Sequence, residues 1–264
     1  MKLKGDKMSL LQINNISLSF GGLKAVDNLS LRVEKGEIVS LIGPNGAGKT
    51  TIFNILTGIY KIATGEILFE GKPIQNKIPQ EIVKDGIART FQNIRLFRKM
   101  RVIENVMIGS HITEEYNFFH AVFRTKLFKE TERKNALKAI HLLRDVGLIG
   151  RLHDYAANLP YGEQRKLEIA RALATGAKLI LLDEPAAGMN PQESVELLHF
   201  IQLLKERGYT ILMIEHDMNV VMNISDRIYV LDYGRLIAEG LPKDVANNPR
   251  VIEAYLGAVP DAAN

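Results

Sequence analysis

Cysteine is absent from all 264 residues of the chain. Its absence excludes disulfide bonds and thiolate metal sites, and it suits a reducing cytoplasm. No apolar run approaches the roughly 18 residues that a membrane span needs. The formal net charge is +4, but no five basic residues stand in a row. This basic balance is more typical of a solvated surface than of a segment that binds nucleic acid or an anionic membrane.

The length and the first residues predict one large domain. Residues 1–7 (MKLKGDK) lack an apolar signal core, so we expect them to form a short frayed leader. Hydrophobic residues make up 46% of the chain, which is enough to bury a substantial core. We therefore predict a single domain over residues 8–264, with a lobe attached to it.

A glycine-rich loop stands between a predicted buried strand, Ile38–Ile42, and a predicted helix, Thr51–Leu56. Glycines let backbone N–H groups approach an anion, and the helix N-terminus adds partial positive charge, so this order is typical of a phosphate-binding loop. The lysine of such a loop reaches the β- and γ-phosphates of a nucleotide, and the next hydroxyl holds Mg²⁺. An ordinary glycine turn is the alternative. The predicted nucleotide-binding residues are Gly43, Pro44, Asn45, Gly46, Ala47, Gly48, Lys49, Thr50 and Thr51, of which Thr50 is also a predicted metal ligand.

Strand patterns surround this loop. Alternating and apolar runs near the N-terminus predict a small antiparallel sheet from Leu10–Phe20, Leu29–Val33 and Glu66–Glu70. Further along, Leu179–Leu182 and Thr210–Ile214 are short apolar runs that are typical of buried parallel strands.

Helical patterns fill the rest of the chain. A helix over Pro191–Glu206 joins the two predicted parallel strands into a β-α-β unit. A helical region is predicted from about Ile94 to Leu159, with a helix at Asn135–Val146, and another helix follows at Glu163–Ala174. The last predicted strands, Ile228–Leu231 and Arg235–Glu239, pair across a turn at residues 233–234.

Two carboxylates, Asp183 and Glu184, end the hydrophobic strand that begins at Leu179. Charged groups at the exit of a buried strand must be paired or solvated. In phosphate-loop ATPases an aspartate at this place completes the Mg²⁺ shell. We predict Asp183 as a metal ligand and Glu184 as the base that polarises the attacking water. The alternative is two solvated carboxylates at a strand end.

Three single residues are further candidates. Gln92 stands where the helical region begins, within reach of nucleotide and lobe. His216 follows the strand Thr210–Ile214, at the carboxyl edge where open α/β sheets bind ligands. Phe20 closes the first strand and is a candidate for stacking on adenine. Taken alone, Gln92 is more typical of a surface amide, His216 of a structural histidine and Phe20 of a core aromatic.

The segment Leu159–Gln164 opens a helix that continues through Leu173, and it resembles the signature sequence of ATP-binding cassette (ABC) ATPases. The resemblance covers nearly the whole chain, because the other candidate elements follow in the family's order. It implies an α/β fold: a P-loop NTPase (RecA-like) core with a parallel sheet, an N-terminal antiparallel β subdomain and an α-helical signature subdomain at about residues 94–162. It also implies hydrolysis of ATP with Mg²⁺.

The same resemblance implies roles for the candidate residues. Phe20 matches the family's adenine-stacking aromatic, Gln92 its lobe-linking glutamine, which serves metal and catalysis, and His216 its switch histidine. In the family, the start of the signature helix faces the γ-phosphate of an ATP held by the opposite subunit, where its N–H groups and dipole suit an anion. This implies nucleotide contacts for Tyr161, Gly162 and Glu163.

Two positions depart from the family's usual pattern. The signature usually has serine and then glycine where this chain has Pro160 and Tyr161, and proline supplies neither a hydroxyl nor an N–H. The loop after Glu184 usually ends in an aspartate that helps the two active sites communicate. Asn190 stands there instead, which removes a charge but keeps hydrogen-bonding capacity.

Within the superfamily, the chain is similar to the ATPase subunits of bacterial importers for branched-chain amino acids. The similarity lies in Phe20–Val26, Arg89–Gln92 with Leu96–Arg98, Pro160–Gly162 before Gln164, Glu184–Gly188 and Glu215–Met218, and in a lobe extension around Tyr116–Phe128. It implies a second ATPase subunit, the same or a homologous chain, and two membrane-spanning permease subunits, with an external solute-binding protein as an indirect partner. It also implies a peripheral position at the cytoplasmic face of the bacterial inner membrane.

Other functions share these motifs. Related ATPase subunits serve importers of urea or short amides, and exporters of lipid or lipopolysaccharide carry every catalytic motif. A soluble ABC ATPase that acts on ribosomes or DNA is a more remote alternative, because this chain has one cassette, no heptad array and no basic tail. We expect no nucleic acid as a partner.

The segment Gln92–Arg101 leads from the nucleotide into the lobe and combines Arg95, Arg98 and Lys99 with Leu96 and Phe97. Such a mixture of cations and apolar side chains is a candidate socket for a cytoplasmic loop of a membrane subunit. The alternative is a plain amphipathic surface turn.

Overall fold

The computed structural model describes residues 9–113, 122–123 and 125–256. Near the N-terminus four strands form an antiparallel sheet: Leu11–Phe20 (β1), Leu23–Val33 (β2), Thr64–Phe69 (β4) and Lys72–Pro73 (β5). Their order is β2-β1-β4-β5, which confirms the predicted antiparallel sheet. The second strand begins at Leu23 rather than at Leu29, because Phe20 pairs with Leu23 and closes a hairpin over two glycines.

A second sheet forms the centre of the molecule. Its six strands are Ile38–Ile42 (β3), Ile87–Arg89 (β6), Leu179–Asp183 (β7), Thr210–Ile214 (β8), Arg227–Asp232 (β9) and Arg235–Gly240 (β10). The order is β10-β9-β3-β8-β7-β6. All neighbouring pairs are parallel except β9 and β10, which form a hairpin. The predicted parallel strands and the final hairpin are confirmed.

Nine helices lie in the described part of the chain. They are Lys49–Leu56 (α1), Pro79–Asp85 (α2), Val102–Ser110 (α3), Lys126–Asp145 (α4), Tyr161–Ala174 (α5), Pro191–Glu206 (α6), Met218–Ile224 (α7), Pro242–Ala246 (α8) and Pro249–Leu256 (α9). No helix in the described ranges has the length and apolar character needed to cross a bilayer.

Several helix boundaries differ from the predictions. The helix predicted from Asn135 begins at Lys126, because the hydroxyl of Thr125 accepts a hydrogen bond from the N–H of Phe128 and caps the helix. The region that begins at Ile94 lies in turns until α3 starts at Val102. The leader at residues 1–7 and much of the predicted extension at 116–128 lie outside the described residues. The bounds of the helical subdomain, about 94–162, stay a prediction.

The central sheet separates two apolar layers. Along β7, Leu179 and Leu181 pack with the β1–β2 side of the molecule, whereas Ile180 and Leu182 pack with the helices of the lobe. Every residue of β3, β7 and β8 is buried. Because both faces are covered, these strands are apolar at four of their five positions rather than alternating.

The parallel strands bring their carboxyl ends to one edge. Asp183 pairs with Ile214, and Leu41 on the next strand also pairs with Ile214. The residues that follow these strands therefore meet at this edge, where open α/β sheets bind ligands. They include the glycine loop, Glu184 and His216.

Candidate active site

The glycine loop has a backbone that other residues cannot adopt. Gly43, Gly46 and Gly48 have φ values of +149°, +82° and +98°. A Cβ on Gly43 would lie 2.2 Å from the carbonyl oxygen of Leu231, and one on Gly48 would lie 2.5 Å from that of Ala25. The loop is therefore packed against two strands at these glycines, whereas nothing lies within 4 Å of a Cβ built on Gly46.

The helix α1 begins directly at the end of this loop. Its N-cap is Gly48, no side chain caps it, and its first turn holds no acidic residue. Its first N–H groups and partial positive charge are therefore available to an anion. This arrangement is the one that phosphate-binding loops use.

Lys49 is buried beneath the loop. Its ammonium donates hydrogen bonds to the carbonyl oxygens of Gly43 at 2.6 Å and Pro44 at 2.9 Å. Burial lowers the pKa of Lys49, and the negative charge of Glu184 opposes that shift. A phosphate at the loop would supply a second counter-charge, so anion binding and the charged form of Lys49 stabilise each other.

A cleft of about 600 Å³ lies beside the loop. Phe20 is 46% exposed at its rim and contacts Tyr60 edge-to-face, with ring centroids 5.1 Å apart. The ring is thus available as a stacking surface. The lining residues are Phe20, Gly22, Leu23, Lys24, Ala25, Asn45, Gly46, Ala47, Gly48, Lys49, Thr50, Thr51, Glu184 and Tyr233.

Tyr233 was not among the predicted site residues, although it lines this cleft. It lies in the β9–β10 turn with a left-handed φ of +42° and is 85% exposed. The next residue, Gly234, donates its N–H to the carbonyl oxygen of Ala47 in the loop at 3.1 Å. The sequence shows the turn, but only the sheet order shows that this turn lies against the glycine loop.

Asp183 is buried at the end of β7 and forms an ion pair. Its Oδ2 accepts a hydrogen bond from the Arg89 guanidinium at 2.6 Å, and Arg89 also donates to the Asn54 side chain at 2.7 Å. Both charged side chains are at least nine-tenths buried. Among the described residues nothing donates a hydrogen bond to Asp183 Oδ1, so this oxygen keeps its capacity to accept one.

Arg89 is a second residue that sequence reasoning missed. It stands on β6, and its guanidinium also lies 5.4 Å and 5.1 Å from the ring centroids of Phe53 and Phe91. The apolar neighbours exclude water from the ion pair, which holds the Asp183 carboxylate in one orientation. Its partner Asp183 ends the neighbouring strand β7 but lies 94 residues further along the chain, so the pair could not be read from sequence spacing.

Glu184, Gln92 and His216 come together. Gln92 Nε2 donates a hydrogen bond to Glu184 Oε2 at 2.7 Å, and His216 Nδ1 lies 3.7 Å from the same oxygen. Glu184 has a left-handed φ of +45°, and its N–H donates to the carbonyl oxygen of Ile214 at 2.9 Å. A non-glycine residue held in this region is strained, and such strain is concentrated at active sites.

A neighbouring carboxylate fixes the loop that carries this cluster. Glu215 is buried, and its two oxygens accept hydrogen bonds from the N–H groups of Ala186 and His216 at 3.0 and 3.2 Å. Burial raises the pKa of Glu215, and these hydrogen bonds partly oppose that shift. Glu215 therefore links the segment after Glu184 to the segment that carries His216.

The oxygen donors near the loop suit Mg²⁺. Asp183 Oδ1, the Thr50 hydroxyl and the side-chain amide oxygen of Gln92 are hard oxygen donors. Mg²⁺ in nucleotide sites binds through one or two carboxylates with phosphate and water. In the part of the chain that the structure describes, no cluster of three or more His, Cys, Asp or Glu residues forms a separate metal site. Oxygen donors of these kinds are the ones that Mg²⁺ uses beside a phosphate.

The predicted signature residues lie elsewhere on the molecule. Tyr161, Gly162 and Glu163 begin α5 after Pro160. The Tyr161 hydroxyl donates to the carbonyl oxygen of Ala187 at 3.1 Å, and Glu163 lies 3.4 Å from Arg151. None of the three lines the cleft that holds the glycine loop. Within one chain, the structure does not bring them to the predicted phosphates.

Asn190 has a local role that sequence comparison did not suggest. Its side-chain oxygen accepts the Glu193 N–H at 2.9 Å, and Glu193 accepts the Asn190 N–H at 3.0 Å. This reciprocal pair is a capping box at the start of α6. The hydrogen-bonding capacity kept at this position therefore stabilises a helix.

The cap gives a stability prediction. Replacing Asn190 by alanine should lower the free energy of unfolding by about 1 kcal/mol, because the Glu193 N–H loses its acceptor. Asn190→Asp is the matched control and should stay within about 0.5 kcal/mol, since aspartate caps equally well. Urea unfolding measures both variants, and equal stability of the alanine variant and the parent would contradict the capping role.

The comparisons with known proteins agree with this geometry. A family model described as ABC transporter matches residues 26–187, more than half of the chain. The chain therefore belongs to the ABC transporter family, and it is an ATPase of that family. A second model, described as branched-chain amino acid ATP-binding cassette transporter, matches residues 235–260.

Individual relatives match over most of their length. The chain is 47% identical over 249 residues to the high-affinity branched-chain amino acid transport ATP-binding protein LivG of Salmonella typhimurium, which covers 94% of this chain and 98% of that protein. It is 45% identical to the corresponding protein BraF of Pseudomonas aeruginosa, with the same coverage. A crystal structure of the ADP conformation of an ABC transporter cassette aligns with a TM-score of 0.83 at 38% identity, covering 95% of this chain and 99% of that one.

Proposed function

We propose that this chain is the ATP-hydrolysing subunit that powers a bacterial importer of branched-chain amino acids from the cytoplasmic face of the inner membrane. The observation that carries the proposal is the meeting of Gln92, Glu184 and His216 beside the glycine loop. Substrate class is supported by relatives named for branched-chain amino acid transport that cover 94% of this chain.

The site residues divide the work of hydrolysis. Residues 43–51 bind the phosphates through backbone N–H groups and Lys49. The Phe20 ring stacks on the adenine of the nucleotide. Thr50, Asp183 and Gln92 would hold Mg²⁺, which would supply positive charge beside the phosphates. Glu184 accepts a proton from the attacking water. His216, whose Nδ1 lies 3.7 Å from Glu184 Oε2, helps to orient this carboxylate.

A second ATPase subunit completes the site. The first turn of α5 has no side-chain cap, so its N–H groups are available to an anion that its own chain does not present. We propose that Tyr161, Gly162 and Glu163 face the γ-phosphate of a nucleotide held by a second copy or a homologous chain. Each ATP is then enclosed between two subunits.

A groove on the lobe is the proposed docking site for a membrane subunit. It has a volume of about 430 Å³, and Phe97 stands in it with 48% of its surface exposed. The Asn105 side chain bonds both the N–H and the carbonyl oxygen of Phe97 at 2.9 and 3.1 Å, so the ring is presented by a fixed turn. The lining residues are Val83, Ala88, Arg89, Arg95, Phe97, Ile108, Gly109, Ile112, Glu168, Arg171, Ala172 and Thr175.

Phe97→Ala should weaken assembly with the membrane subunits while the isolated chain still hydrolyses ATP. The ring is absent from the lining of the nucleotide cleft, and a buried aromatic anchor contributes about 2 kcal/mol or more at an interface. Copurification with the membrane subunits and leucine uptake should both fall.

The matched control is Leu137→Ala, which removes an exposed apolar side chain of α4 that does not line the groove. It should leave assembly and uptake unchanged. If Phe97→Ala instead unfolds the isolated chain, the ring belongs to the core of the lobe and the docking proposal is wrong.

The transported solute is tested on the assembled complex. We expect ATP hydrolysis to be stimulated by a solute-binding protein loaded with leucine, isoleucine or valine. Stimulation by urea or short amides would assign the chain to a related importer. Stimulation by lipid or lipopolysaccharide without any binding protein would assign it to an exporter.

A further inference from the structure

Arg165 is a charged side chain with no exposure to solvent, on the second turn of α5. Its Nη1 donates to the carbonyl oxygen of Phe91 at 2.7 Å and to Glu168 Oε2 at 2.9 Å, and its Nη2 donates to the carbonyl oxygen of Gln92 at 2.7 Å. A buried charge is tolerated only when it is paired and hydrogen-bonded. The partners here are one carboxylate and two consecutive backbone carbonyls.

The two carbonyls belong to the segment that carries Gln92. The backbone of Gln92 is therefore held from α5 by Arg165, while its side chain donates to Glu184 at 2.7 Å. Two hydrogen bonds in series, from Arg165 to Gln92 and from Gln92 to Glu184, connect α5 to the carboxylate proposed as the general base. This path lies wholly within one chain. It begins at Arg165, four residues after Tyr161, the first residue of α5.

Glu168 fixes the guanidinium from the other side. It is buried one turn further along α5, and its second oxygen accepts the N–H of Arg95 at 3.1 Å. The Arg165–Glu168 pair thus bonds the backbone of residues 91, 92 and 95. The planar fork of arginine holds its donors on separate nitrogens in a fixed geometry that matches these three acceptors, whereas the three donors of lysine share one nitrogen at the end of a flexible chain.

We propose that Arg165 is a positioning residue that holds the Gln92 side chain against Glu184. A movement of α5 then shifts Gln92 relative to the catalytic carboxylate of Glu184. The inference rests on the proposed hydrolytic role of Glu184. Arg165 itself lines no part of the nucleotide cleft. Its effect on hydrolysis should therefore pass through Gln92.

The test is a double-mutant cycle of Arg165→Lys and Gln92→Ala in the full chain, with steady-state ATP turnover as the readout. Each single variant should lower kcat by about 10- to 100-fold, since misplacing a positioned group costs this much. For Arg165→Lys, KM for ATP should stay within about twofold, because every residue proposed to contact the phosphates or the metal is unchanged. The double variant should be no slower than Gln92→Ala alone. Independent residues would instead multiply their effects.

Arg207→Lys is the matched control, because Arg207 also bonds a carboxylate and a backbone carbonyl, both of Asp145, away from the cleft. It should keep full turnover. If Arg165→Lys does not fold, Glu168→Gln replaces it, and its smaller loss of kcat should also vanish in the Gln92→Ala background. Multiplying effects, a rise in KM alone, or unchanged kcat in any of these site variants would overturn the inference. Full turnover by Glu184→Gln would instead contradict the proposed function.

Discussion

Glu184→Gln should lose most ATP hydrolysis and still bind Mg-ATP. The amide cannot accept the proton of the attacking water, and general-base catalysis contributes about 10²- to 10⁴-fold in rate. Lys49, Thr50 and Asp183 are unchanged in this variant, so the phosphates and the metal keep their ligands. The Gln side chain also has nearly the shape of Glu and can still contact Gln92.

Lys49→Ala is the contrasting variant. It removes the buried ammonium that lies on the carbonyl oxygens of Gly43 and Pro44, so nucleotide binding itself should weaken. Steady-state turnover together with a nucleotide titration separates the two variants. Near-normal turnover by Glu184→Gln would remove Glu184 from the mechanism.

ATP should join two copies of the Glu184→Gln chain into a dimer that persists. The start of α5 does not line its own cleft but has no side-chain cap on its N–H groups, so we expect each nucleotide to gain these partners only when a second subunit closes over it. Blocking hydrolysis keeps the γ-phosphate in place and should therefore prolong the dimer. Binding that is linked to assembly stabilises the assembled state by mass action.

Sedimentation with and without Mg-ATP measures this assembly. The Glu184→Gln chain should sediment as a monomer without nucleotide and as a dimer with Mg-ATP, whereas Mg-ADP, which lacks the γ-phosphate, should leave it monomeric. A chain that binds ATP but stays monomeric would show that it does not pair with itself, and a homologous ATPase subunit would then be its obligate partner.

The sequence predicts the parts of this molecule that local pattern determines. Ile38–Ile42 and Pro191–Glu206 have the predicted bounds, because a continuous apolar run and a capped amphipathic segment are each specified by neighbouring residues. The sequence also allows the meeting of Gln92, Glu184 and His216 to be predicted. Glu184 and His216 each follow a predicted parallel strand, and the family resemblance implies the role of Gln92.

Long-range polar contacts were beyond the sequence. The pairing of Arg89 with Asp183 depends on β6 lying beside β7, and the pairing of Arg165 with the carbonyls of residues 91 and 92 depends on how α5 packs against the segment after β6. An arginine in an amphipathic helix looks like a surface residue until tertiary packing buries it. From the family resemblance, Asn190 stands in for an aspartate that helps two active sites communicate. In the structure its hydrogen bonds cap the start of α6.

The most direct test of the account is uptake of labelled leucine into proteoliposomes that contain this chain and the two membrane subunits. Mg-ATP is enclosed on the side of the ATPase subunits, and the solute-binding protein is supplied outside. We expect leucine to accumulate with the parent chain and not with Glu184→Gln, although both assemble with the membrane subunits. Equal accumulation with the two chains, or none with the parent while another solute is transported, would contradict ATP-driven import of branched-chain amino acids by this site.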